Sequence, residues 1–241
     1  MNKIIPLGTA FILGVGAGLV IQWESWSNFL TSYIPALATL VAAYYGANYA
    51  FQFQNDKEKD DLKRRNIVSV NSSIFTLTRM ANKLFIFQRD IINPVRNSPV
   101  FFLDMPPTMD MEKELIKLEI DSLYFLLETD DRNLLGEIMI EEERYRSAIE
   151  AINMRSRTHI QEVQPLLESA GVLPSGSYTL KQFEEILGIR LFTTIKQSSA
   201  QVITHVDRTL ISLKEVADKL NASIKRQYPD NRVINFTLPK T

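Results

Sequence analysis

The stretch "EIMIEEERYRSAIEAINMRSRTHIQEVQ", Glu137 to Gln164, holds the densest set of side chains able to do chemistry. Most of its charge has a simple use. Glu142 and Arg146 stand at i,i+4, a pairing that stabilises a solvent-facing helix by about 0.3 kcal/mol and requires no substrate. His159 differs. Tyr145, Ile149, Ile152, Ser156, His159 and Val163 recur at three-four spacing, which turns the imidazole toward the inside of a helical bundle. Arg155 lies one turn earlier, so the two side chains share a face. A buried histidine hydrogen-bonded to a neighbouring helix is the commoner outcome of this pattern. The candidate catalytic residues are nonetheless Arg155 and His159, a cation and an imidazole on one helix face.

The spacing Arg155-x-x-x-His159 in "RSRTH" resembles the R-x4-6-H motif of HEPN ribonucleases, and is one residue shorter. The resemblance implies helical domains that dimerise so that two Arg155/His159 pairs converge in a cleft between subunits.

Other chemistry has no residues to carry it. The chain has no cysteine, and its only histidines are His159 and His205. Neither lies in H-E-x-x-H or in the Glu-x-x-His of a di-iron bundle, so no metal site is expected. No G-x-x-x-x-G-K, G-x-G-x-x-G or G-x-S-x-G occurs, so no nucleotide cradle or hydrolase elbow is expected either, and no cofactor. With a net charge of −1, the surface lacks the excess of Lys and Arg that phosphate backbones attract. Nucleic acid is not an expected partner.

The elements that position these residues read as helices. Ile67, Val70, Ile74, Leu77, Ala81, Leu84 and Ile91 form a seam at alternating three-four spacing, with Gln88 its single polar position. Nothing between Gly46 and Pro94 breaks a helix, so this seam is predicted to continue one long helix to about Asn93. "NPVRNSPVFFLDMPPTMD" (93–110) reads as a loop, its "VFFL" clasping the domain's own core. A helix is predicted over Met111–Glu128, and another from Arg132 to about Ser169. After the loop "AGVLPSGSY", Thr179 and Gln182 are spaced as a capping box. A last helix is predicted from about Arg190 to Gln227, with a seam at Ile203, Val206, Leu210, Leu213, Ala217, Leu220 and Ile224. "NRVINFTLPKT" reads as a short strand or extended tail. No segment alternates as strands do throughout, so the expected fold class is all-α, an antiparallel helical bundle. The two seams are expected to meet inside one chain; pairing between chains is the alternative.

The N-terminal quarter is different again. Ile4–Trp23 and Phe29–Phe53 carry no charge, and each is about as long as the ~20 residues that span a bilayer. Joined by "ESWSN", they predict a two-helix transmembrane hairpin over residues 1–54 whose second helix continues as a long cytosolic helix over 55–93, with 94–241 completing the bundle. Trp23 and Trp26 suit an interfacial belt, and Lys57, Lys59, Lys63, Arg64 and Arg65 place the following domain in the cytoplasm. The expected location is thus a bacterial inner membrane, crossed more than once, with both ends inside. Small residues mark a packing face for these helices: Ala10, Gly14 and Gly18 in the first run, Ala38, Ala42, Gly46 and Ala50 in the second, with Asn48 beside them. The faces meet each other within one hairpin, or join chains into a homo-oligomer.

"IPALATLVAAYYGANYAF" (34–51) together with "NLLGEIMIEEERYRSAIEAINMRSRTHIQEVQPLLE" (133–168) resembles a group of uncharacterised bacterial membrane proteins. That resemblance implies an inner-membrane location and no catalytic activity. The expected function is a membrane-anchored interaction or sensory protein whose bundle binds a cytosolic protein or small-molecule ligand, with the lipid bilayer as its other partner. The alternative is an oligomeric, membrane-perturbing effector, similar in architecture to those of bacterial anti-phage defence. A HEPN-like ribonuclease is the third reading.

Overall fold

The computed structural model describes residues 23–108, 111, 116–172 and 178–237. Helix α1 (Trp23–Phe87) is continued by a π-helical turn, Gln88–Ile92. A short α2 (Phe101–Asp104) and a 3-10 segment (Ile120–Glu128) follow. Helix α3 (Arg132–Thr158) runs through a second π-helical turn, His159–Val163, into α4 (Gln164–Ser169), and α5 (Leu180–Gln227) closes the order. The described residues contain no strand, so the protein is all-α.

The chain divides into two compact units, Met1–Asp61 and Leu62–Thr241. In the first, the described residues form the N-terminal part of α1. Pro35 sits inside this helix and cannot donate a backbone hydrogen bond, while Thr39 Oγ1 donates to the Pro35 carbonyl at 2.8 Å. Ala38, Ala42, Gly46, Asn48 and Ala50 are all exposed here.

The transmembrane hairpin and the multi-pass inner-membrane location expected from the sequence are corrected by this unit. Among the described residues, no helix is long and apolar enough to cross a membrane. An uncharged run is not necessarily an apolar one. Tyr33, Thr39, Tyr44, Tyr45, Asn48, Tyr49 and Gln52 bring hydroxyls and amides into Phe29–Phe53, and each lowers its hydropathy. The expected connection is not a loop either, because Glu24–Asn28 are the first turns of α1. The first run, with Ala10, Gly14 and Gly18, lies outside the described residues. The membrane-perturbing reading needs oligomerised spans, and none is found among the described helices.

The second unit is a bundle built on the predicted seams. Val70, Ile74, Leu77, Ala81 and Leu84 from α1 are buried in one core with Val206, Leu210, Leu213, Ala217, Leu220 and Ile224 from α5. Both seams therefore meet inside one chain. Tyr145, Ile149 and Ile152 of α3 join the same core. Polar contacts across the helices give their directions. Asp131, Glu137, Glu141 and Arg155 of the α3 side bond to Arg226, Lys219, Ser212 and Ser199 of α5, so α3 and α5 are antiparallel. Asn66 and Gln88 bond to Tyr228 and Asp207 in the same descending order, so α5 is antiparallel to this part of α1 as well. Gln88, the polar position in the seam, donates to Asp207 Oδ1 at 2.7 Å, and Arg96 completes the bonding of that carboxylate.

The described part of the tail, 231–237, is not a strand. Phe236 is buried in the main core, the Ile234 amide donates to Asn71 Oδ1, and buried Asn221 donates to the Ile234 carbonyl. Two helical boundaries also differ from the pattern. The described part of Met111–Glu128 is irregular up to Glu119 and then 3-10 helical. Three residues per turn put Leu123 and Leu126 inside and leave Leu127 exposed, where α-helical spacing would have buried it. At the other boundary, α5 starts ten residues before Arg190, on the expected capping box, with Thr179 Oγ1 accepting from the Gln182 amide and Gln182 Oε1 from the Thr179 amide. The helix is interrupted at Gly188, whose φ of 71° and ψ of 149° are open only to glycine.

Candidate functional site

Arg155 and His159 stand where α3 passes into its π-helical turn. That turn is flanked by a second, smaller core of Phe102, Val163, Leu187 and Ile195. Helix α2 is only four residues long, yet it drives Phe102 fully into this core, edge-on to Phe192 at 5.2 Å between ring centroids. The "VFFL" segment thus clasps the bundle itself. Its backbone is held from the other side, since Arg155 Nη2 donates to the Phe102 carbonyl at 2.8 Å. Arg155 Nε donates to Ser199 Oγ at 3.2 Å, tying the same guanidinium to α5. Arg155 therefore bridges three elements.

Burial decides what this pair can do. Arg155 is 2 % exposed and His159 5 %. Arg155 Nη1 and both ring nitrogens of His159 have no hydrogen-bond partner of normal geometry. Among the described residues, no carboxylate bonds to the guanidinium; its partners are a carbonyl and a hydroxyl. Burial pulls the Arg155 pKa down to about 10, which leaves it charged at neutral pH. Burial first, and then the charge of Arg155, push the His159 imidazole down to about 4, with the Leu103 main chain acting in the opposite direction. The histidine is neutral at pH 7.

A cation beside a neutral imidazole has the composition of a phosphodiester-cleaving pair, but a nucleic acid has no path to it within this chain. Both side chains lie under α2 and against α5, facing a packed core and not a cleft. The Arg155/His159 geometry fits a packing role: the guanidinium holds the α2 carbonyl, and the imidazole fills the space beneath.

The structure assembles polar groups that the sequence pattern did not single out. Glu141, one of four charged residues in "EEER", is 1 % exposed and accepts from Arg144 at 2.6 Å and from Ser212 Oγ at 2.6 Å. Carrying the three-four spacing backward from Tyr145 through 141 to Ile138 would have found it. Its neighbour Glu142 does pair with Arg146, at 3.5 Å, and also accepts from the Leu118 amide at 2.9 Å. Lys214, Lys219 and Arg226 sit on the solvent side in pairs with Asp218, Glu137 and Asp131.

A concave surface appears at the break in α5. Beside Gly188 a pocket of about 660 Å³ is lined by Glu162, Leu187, Ile189, Arg190, Leu191 and Thr194. It holds one acid, one base and a hydroxyl among aliphatic walls. Leu187 is shared with the small core under α2, so pocket and core are in direct contact. Gly188, in "EEILGIR", is the sequence signal for this break. Among the described residues, no group of three or more His, Asp or Glu side chains is placed to hold a metal ion.

Fold and site together define an all-α helical-bundle protein with a buried Arg–His pair and an open pocket at a helix break. Compared with protein-family models, with curated proteins and with solved structures, the chain matches none. The likenesses drawn above rest on its residues alone.

Proposed function

We propose that the bundle is a non-catalytic interaction or sensory module that takes its ligand in the pocket at the Gly188 break. The observation that carries this reading is the contrast between two sites. The candidate catalytic pair, Arg155 and His159, is sealed in the core, while the pocket at Gly188 is open to solvent and shares Leu187 with the small core beside that pair. Its size is that of a small-molecule site, generally ~300–1,000 Å³. Its chemistry suits a ligand, or the tip of a protein partner, with an apolar body and one charged group. A ligand wedged there would bias the angle at a single glycine. The 39 residues of α5 beyond it pack along α1 and α3, so a change at the break has a rigid element to act on.

Thermal-shift measurements on the wild type and on Thr194→Trp, against a panel of amino acids, nucleotides and short peptides, test the reading. A compound that raises the wild-type Tm and loses its effect in the Trp variant supports it. Cleavage of labelled RNA by the wild type that disappears in Arg155→Met would overturn it in favour of the ribonuclease.

A further inference from the structure

Two pairs of facing charges bridge the α3 side and α5 directly, Glu137 with Lys219 at 2.6 Å and Asp131 with Arg226 at 2.6 Å. At the Gly188 pocket the facing charges stay apart. Glu162 and Arg190 both line it and both are exposed, yet neither forms a hydrogen bond or an ion pair with any described residue. Thr194, one turn after Arg190 on the same side of α5, offers a hydroxyl that is also without a described partner.

Two local irregularities meet here. Glu162 belongs to the π-helical turn His159–Val163, and Arg190 lies two residues past the glycine at which α5 breaks. Each departs from the regular helix that packing alone would favour, and π-helical turns are frequent at functional sites. The remaining walls are aliphatic. Ile189, at 71 %, is the most exposed large apolar side chain among the described residues of the bundle, and Leu187 and Leu191 stand beside it.

We infer that this pocket takes a zwitterion with an aliphatic body, either a free amino acid such as leucine or a dipeptide of such residues. The inference rests on the pocket being the ligand site. Arg190 and the Thr194 hydroxyl take the carboxylate, Glu162 takes the ammonium, and the leucines and Ile189 take the apolar side chain. One charged group is the least the pocket can match; a second, of opposite sign, completes it. The lining charges cancel, so a simple anion or cation gains at one wall and meets its own sign at the other. A zwitterion meets its opposite at both.

Isothermal titration of the full chain with leucine, leucyl-leucine, isocaproate and isoamylamine tests this. Isocaproate keeps the body and carboxylate of leucine without its ammonium, and isoamylamine keeps the ammonium without the carboxylate. The better zwitterion should bind about tenfold more tightly than either analogue, the worth of one charge-assisted hydrogen bond. Whether that zwitterion is leucine or leucyl-leucine separates the amino acid from the peptide. Glu162→Gln should reduce its affinity to that of isocaproate, and Arg190→Gln to that of isoamylamine. Both side chains are exposed, so neither change disturbs the fold. An analogue that binds as tightly as the zwitterion, and is lost in Thr194→Trp, overturns the zwitterion and keeps the pocket. Zwitterion binding that survives Thr194→Trp lies elsewhere and overturns both. A wild type that binds none of the four overturns the zwitterion alone, and the pocket then rests on the wider panel.

Discussion

The buried imidazole makes the stability of this protein depend on pH in a way that one substitution can isolate. His159 titrates near 4 in the folded chain and near 6.5 once unfolded. Between those values the unfolded chain binds more protons than the folded one, so folding stability falls as the pH drops through this window and levels off below about 4. The difference of 2.5 pKa units, at 1.36 kcal/mol each, amounts to about 3 kcal/mol. The groups that act on the ring are Arg155 on its own helix and the α2 backbone at Leu103. None of these is a carboxylate that would offset the effect. Other groups do respond in acid, among them Asp207, which Arg96 holds below the usual carboxylate range. The comparison must therefore be between chains and not between pH values alone. Urea denaturation of the wild type and of His159→Gln at pH 7, 6, 5 and 4 gives that comparison, because any constant cost of the glutamine cancels. The wild type is expected to lose about 3 kcal/mol more than the variant between pH 7 and 4. Parallel stability curves for the two chains would refute the argument and mean that the ring is solvated or paired. Arg155→Met adds a second check. Removing the nearby charge takes away the lesser cause of the shift and keeps burial, so the window should narrow without vanishing.

Two further outcomes follow from the elements around the site. Phe102→Ala empties the centre of the small core and should cost about 3–5 kcal/mol by urea melts, with faster amide exchange in 98–105 than elsewhere in the bundle; uniform exchange would mean that α2 is no separate clasp. Gly188→Ala meets no steric neighbour but forces a side chain onto φ 71°, ψ 149°, so it should destabilise by about 1–3 kcal/mol through backbone strain alone. An unchanged melt would show that the break in α5 can straighten.

The parts of this protein that were legible in its sequence are those where one face of a helix meets a core. The seams from Ile67, from Tyr145 and from Ile203 are written in three-four spacing, and packing leaves such a face a single place to go. The burial of Arg155 and His159 was readable for the same reason: they sit in register with Ile152 and Ser156. Where the period changes, the pattern misleads. The 3-10 turn at Ile120–Glu128 exchanges Leu127 for Leu126, and a seam counted at 3.6 residues per turn cannot register that. The N-terminal stretch shows a deeper limit. Absence of charge suggests affinity for lipid, yet tyrosine, threonine, asparagine and glutamine lower hydropathy without adding charge. Glu141 repeats the lesson on a single side chain. Its neighbours 142 and 143 look identical in sequence, yet the 100° step between successive residues buries Glu141 in the bundle, leaves Glu142 half-buried and turns Glu143 to solvent. Charge type alone therefore says little about where a residue lies on these helices; its phase relative to the nearest apolar seam says most of it.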